Sequence, residues 1–202
     1  MKTAAQIMKS KQFIKNELDV RIPKKESDAL WEMAERRLDE IMKEYAEIPK
    51  GEHTHTDTYI FPSAAIYLTL KEALGEKMAY AVIEDAAIKK TTDAGRKIAG
   101  MMRLPGMKGL FIRVWDPLTK KMFGPDSGFK NVFYPKKKGE YRMDIVACPY
   151  DRYFTELGCA ELTRIFCEND NRTYGNLPGL EFRRSGTLGT GADRCDFYVR
   201  KL

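Results

Sequence analysis

Leu30, Trp31, Ala34, Leu38, Ile41, Met42 and Tyr45 recur at a helical period and form one continuous apolar stripe. A helix with such a stripe is stable in water only when that face is covered, so the chain must supply packing partners. Ser27 reads as its N-cap, and Pro49 with Gly51 as its stop. The partners lie nearby. Ile7, Met8, Ile14 and Leu18 fall near helical spacing before Pro23. A further helix is expected from Pro62 or Ser63 to Leu74, with Gly75 as C-terminal cap, and another through Met78, Val82, Ile83, Ala86 and Ala87. A short helical piece around Ile98 to Met102 should end at Pro105-Gly106.

The pattern then changes. Phe111-Ile112-Arg113-Val114-Trp115 reads as a strand stopped by Asp116-Pro117. Phe129 to Tyr134 and Tyr141 to Ala147 read as a strand pair across Lys136-Lys137-Lys138-Gly139. A helical region opens at Pro149, breaks at Gly158 and resumes through Leu162, Ile165 and Phe166. Two last strands, Leu180 to Ser185 and Arg194 to Lys201, flank a glycine-rich turn. The expected fold is α+β: an N-terminal helical layer packed on a C-terminal antiparallel sheet with an inserted helix. We expect a single domain over residues 1–202, mostly helical over 1–105 and carrying the sheet over 106–202.

Composition excludes some roles. No stretch approaches a membrane span, and lysines interrupt the N-terminal apolar residues, which points to a cytoplasmic chain with reduced thiols. The formal charge is +6, but bases and acids are interleaved, and no aromatics alternate with the lysine run. That argues against nucleic acid and leaves an acidic small molecule as the partner that suits the surplus. The oligomeric state is open, with a homo-oligomer among the alternatives.

His53 and His55, extended, would project the same way and suit a divalent metal or a proton relay; Thr and Asp beside them suit a helix cap equally. Cys148, Cys159, Cys167 and Cys195 lack close Cys-x-x-Cys spacing, which removes a zinc ribbon. Cys167 and Asp170 share one helical face and can reach one ligand, or Cys167 simply packs beside Phe166. Strand alternation puts Cys195, Phe197 and Val199 on one face and Asp196, Tyr198 and Arg200 on the other. Arg184 shares the apolar side of its strand with Leu180 and Phe182, so it clamps a carboxylate or frays into water at the strand end. Gly186-Thr187-Leu188-Gly189-Thr190-Gly191 lacks the Lys-Ser/Thr and helix of a phosphate loop and reads as a turn.

Taken in order, Cys148-Pro149-Tyr150, Glu161-Leu162, Cys167-x-x-Asp170, Phe182-x-Arg184-Ser185-x-Thr187-Leu188, Gly191 and Cys195-Asp196-Phe197 resemble the L-2-amino-thiazoline-4-carboxylic acid hydrolase family. The likeness is strongest from Tyr141 to Arg200 and looser over Ala64 to Ala87; Ser185 and Tyr198 depart from the pattern. The resemblance implies hydrolytic opening of a cyclic carbon–nitrogen substrate such as 2-aminothiazoline-4-carboxylate to a carbamoyl-cysteine. It assigns catalysis to Cys167, Asp170, Cys148, Cys195 and Asp196, and substrate binding to Arg184, Thr187, Tyr150 and Glu161. Within it, Cys167 or Cys148 is a nucleophile or metal ligand, Asp170 or Asp196 a base or amidinium partner, and His53 or His55 a proton carrier. Arg184 anchors the substrate carboxylate and is a source of positive charge beside a thiol. The alternatives are a metal-dependent hydrolase and a non-catalytic binding or sensor module related to 4-vinyl reductase domains. If the pocket lies between helices and sheet, Tyr59, Trp115 or Tyr150 would line it.

Overall fold

The structure, a computed structural model, describes residues 2–202. Its N-terminal part is a stack of helices: α1 (Ala4–Lys9), α2 (Gln12–Asp19), α3 (Lys24–Glu44), the single turn α4 (His53–His55), α5 (Phe61–Leu74) and α6 (Glu76–Met102). The stripe on α3 covers α5, whose Phe61, Ala64, Ala65, Ile66, Tyr67 and Leu70 are all buried. α5 is apolar nearly all round because it has α3 on one side and α6 on the other. It ends at Gly75, whose φ of 85° an L side chain rarely adopts.

Several expectations are corrected here. Ser27 does not cap α3: the helix starts a turn earlier, after Pro23, and Ser27 is buried within it with its hydroxyl donating to Asp19. Proline at the entry supplies a fixed φ instead of a capping oxygen. The helix through Val82 and the piece near Met102 are one 27-residue helix, α6. The segment from Phe111 to Trp115 is no strand but the middle of α7 (Met107–Met122), which passes through Pro117. His53 and His55 lie on a helical turn rather than in an extended segment.

The turn after α4 has a physical cause. Residues Thr56–Ile60 form a π-helical turn leading into α5. Pro62 has no N–H to give the carbonyl of Thr58 four residues back, and the Lys11 ammonium of α2's N-cap donates to that carbonyl instead. Burial pulls Lys11 down to about 8.

The sheet follows α7 and is antiparallel throughout, with β1 (Lys130–Phe133), β2 (Glu140–Ala147), β3 (Leu180–Arg183) and β4 (Cys195–Lys201) in the order β1-β2-β4-β3. Between β2 and β3 run α8 (Pro149–Glu156) and α9 (Leu162–Tyr174), separated at Gly158 with φ 72°. This is the α+β layout read from the sequence. Register places Ile145 opposite Cys195, Met143 opposite Phe197 and Tyr141 opposite Val199, so the alternating apolar residues of both strands form one inward face. α7 lies across β2 and β4, with Trp115 buried and the Thr119 hydroxyl 2.6 Å from that of Tyr141. Tyr150, on α8, packs against both the helical core and the sheet core. Among the described residues no helix is long and apolar enough to cross a membrane.

Candidate active site

Where α8 and α9 meet the inner face of the sheet they leave a cavity of about 220 Å³. Three elements supply its chemistry. α9 presents Thr163, Phe166, Cys167 and Asp170, spaced so that they share one helical face. β4 presents Cys195 and Phe197, and Arg184 enters just beyond the end of β3. Aromatic rings close the rest: Tyr59 from the π-helical turn, Phe123 after α7, Phe129 before β1 and Tyr150 from α8. The volume is below the roughly 300–1,000 Å³ typical of drug-sized ligands, and suits one small ring with substituents.

Arg184 is a deeply buried charge, its side chain 3% exposed. One amino group donates to Asp170 Oδ2 at 2.6 Å and to the carbonyl of Cys167 at 3.0 Å, and the guanidinium stacks over Phe197 at 4.3 Å. Its Nε–H is buried without a partner, as is the hydroxyl of Thr163. Two unsatisfied groups on one apolar cavity are what a ligand's polar atoms would meet, since leaving either unpaired costs ~1–3 kcal/mol.

The four thiols differ sharply. Burial pushes Cys148 and Cys159 up to about 12. Cys167 and Cys195 adjoin one another across the α9–β4 seam, and each shifts the other's acidity. Cys195 has the Cys167 thiol against it, accepts the backbone N–H of Leu188 at 3.3 Å and has Arg184 beside it. These donors outweigh the cost of burial and pull Cys195 down, while the same contact and burial hold Cys167 up as the donor. The Leu188 N–H is aimed there by the glycine-rich segment, whose single 3₁₀ turn (Leu188–Thr190) lies against α9. At Gly189 a Cβ would stand 2.7 Å from Thr163 Cγ2 and 3.0 Å from Cys167 Sγ, so glycine permits the approach.

Other residues expected at the site lie elsewhere. Asp196 faces the opposite side of the sheet, where it accepts the backbone N–H groups of Ser185 and Gly186, each at 2.9 Å, and fixes the bend after Arg184. These bonds hold its carboxyl below the usual range. Glu161 precedes α9 and is bonded to Tyr67 and, at 3.1 Å, to Lys71, outside the cavity. Thr187 sits behind Cys167, with its hydroxyl 3.0 Å from that of Thr190. Trp115 packs on Tyr174 and Phe111 under the sheet rather than lining the cavity. His53 pairs with Asp57 at 3.1 Å, whereas His55 is buried and bonded to Tyr150, so the two imidazoles do not converge. Among the described residues no group of three or more His, Cys, Asp or Glu is placed to hold a metal ion. Thr163 escaped the sequence reading; its place one turn before Cys167 and two before Asp170 was the available signal.

A model of L-2-amino-thiazoline-4-carboxylic acid hydrolase matches residues 53–199, well over half of the chain. The chain belongs to this family. The match starts on the turn that carries His55 and ends within β4, so every residue that lines the cavity falls inside it. The helices α1 to α3, of which α3 covers α5 and α2 lies against α6, fall before it. Searches of curated proteins and of solved structures returned no significant match.

Proposed function

We propose that this member of the L-2-amino-thiazoline-4-carboxylic acid hydrolase family opens a small cyclic amidine carboxylate, such as 2-aminothiazoline-4-carboxylate, by nucleophilic catalysis at Cys195. The supporting observation is the cavity itself, in which a thiol with three stabilising neighbours lines a space of ring size. In the first step Cys195 Sγ bonds to the amidine carbon and the bond from that carbon to a ring heteroatom breaks, the electron pair leaving with the heteroatom. Water then adds to the same carbon, the carbon–Sγ bond breaks, and the thiolate is restored. The sum is substrate plus one water to a ring-opened carbamoyl product.

Arg184 has two tasks in this scheme. Its charge keeps Cys195 ionised, and its free Nε–H, with the Thr163 hydroxyl, offers the donors that a substrate carboxylate or exocyclic nitrogen would need to be met by. Asp170 holds the guanidinium in place through its salt bridge to one amino nitrogen, which leaves the Nε–H free. The nucleophile is thus Cys195, with Cys167 as its proton partner.

The test is ring opening of 2-aminothiazoline-4-carboxylate followed by mass spectrometry, for the wild type with and without chelator and for Cys195→Ala. Turnover that the chelator leaves intact and the variant lacks is expected. Full activity in Cys195→Ala, or loss of activity to the chelator, would overturn the thiol mechanism. Saturable binding without turnover would move the protein to the class of binding modules.

A further inference from the structure

His55 is an imidazole with no exposed edge, 2% exposed, inside a box of Tyr59, Phe123, Phe129 and Tyr150 rings. Both of its nitrogens are engaged. Nε2 lies 2.7 Å from the carbonyl oxygen of Met122, which can only accept, so Nε2 carries the proton. Burial holds the ring neutral at ordinary pH. Nδ1 is therefore a bare lone pair, and the Tyr150 hydroxyl 3.0 Å away must donate to it. That leaves the lone pairs of Tyr150 Oη for the cavity that this residue lines.

We infer that Tyr150 and His55 form a proton relay that receives the proton of the attacking water. The inference rests on the hydrolase reading above and adds the base that reading lacks. In the second half of the reaction, water oxygen bonds to the amidine carbon and one water O–H bond breaks. The proton enters Tyr150 Oη as Tyr150's own proton moves to His55 Nδ1, and the Met122 carbonyl steadies the imidazolium so formed. As the carbon–Sγ bond breaks, the remaining water proton passes from the oxygen to the amidine nitrogen and the carbonyl forms, while the relayed proton returns by the same two bonds to the ring heteroatom released in the first step. Tyr150 touches the reacting water; His55 acts through it and is a positioning residue. The other titratable groups near Tyr150 are Tyr59, Cys148 and Asp170, none of which is hydrogen-bonded to its hydroxyl.

The relay acts after the covalent step, and this gives it a signature that a purely structural role lacks. In Tyr150→Phe the first half-reaction proceeds and the second stalls, so the enzyme accumulates as an adduct heavier by one substrate. Intact-mass spectrometry during incubation with 2-aminothiazoline-4-carboxylate should show that adduct on Cys195, with kcat lowered about 10²–10⁴-fold. His55→Asn, which keeps a polar group but no relay, should accumulate the same species. Alkylation of Cys195 by iodoacetamide should keep its wild-type rate in both. If the wild type turns over and both variants do so within threefold of it without an adduct, the relay is overturned and the hydrolase reading stands. If the wild type neither turns over nor forms an adduct, the hydrolase reading falls and the relay with it.

Discussion

At Gly189 one added methyl group would collide with the two residues that shape the cavity floor, at 2.7 Å from Thr163 and 3.0 Å from Cys167. Gly189→Ala is expected to lower stability by about 1–3 kcal/mol, read by denaturant unfolding, and to swing the Leu188 N–H off Cys195. Arg184 controls the same thiol from the other side. At pH 7 iodoacetamide is expected to read Cys195 alone, because burial, and at Cys167 first its contact with Cys195, hold the remaining thiols up. The wild-type rate should fall as pH drops through about 7, where the thiolate gains its proton. Arg184→Gln removes the positive charge, so that midpoint must move to higher pH; a midpoint unmoved would show that the charge plays no part. Arg184 was legible in the sequence, since alternation from Leu180 and Phe182 put it on the apolar side. Asp196 was equally legible as facing away, and it does so; its place in the motif, not its geometry, made it a catalytic candidate. What lowers Cys195 is first its contact with Cys167 and then a backbone N–H from a 3₁₀ turn, neither of which any spacing of side chains announces.

The element with the most leverage on the site is the π-helical turn of Thr56–Ile60. It holds one residue more than an α-helical path would need, and that residue sets the angle between α4 and α5. Deleting Thr58 is expected to rotate His55 by about 100° relative to α5, breaking its bond to Tyr150 and removing the acceptor of Lys11. The imidazole nitrogen shifts of His55 in NMR would report the lost contact, and the melting temperature would fall. α7 shows why some elements were misread. Phe111, Trp115 and Thr119 follow a helical four-residue step toward the core, but Leu110, Val114 and Leu118 make the outer face apolar as well. With both faces apolar, periodicity is blurred, and β-branched and aromatic residues before Asp116-Pro117 then look like a strand with its stop. Pro117 is tolerated because it costs one backbone bond within a helix held to the sheet by Trp115 and Thr119.

Across the whole molecule the surplus of base over acid, +6, sets a long-range preference for anions. For a carboxylate substrate, KM should rise several-fold between roughly 20 and 500 mM salt while kcat holds, because screening acts on capture from solution and not on the bonds of the chemical step. A KM indifferent to salt would place recognition wholly within the cavity. The layering of helices and sheet followed from the change of period along the chain, whereas the meeting of α8, α9, β4 and the π turn around one space did not, because strand order is invisible to local pattern. That order, β1-β2-β4-β3, has a temporal consequence. β3 pairs with β4 and not with β2, and β4 is synthesised after the other three strands. A nascent chain can close the β1–β2 hairpin and dock its helices, yet Thr163 and Cys167 stay uncovered until β4 arrives between its neighbours. Cys195 therefore comes in with the strand that covers the cavity, and a half-made protein holds neither.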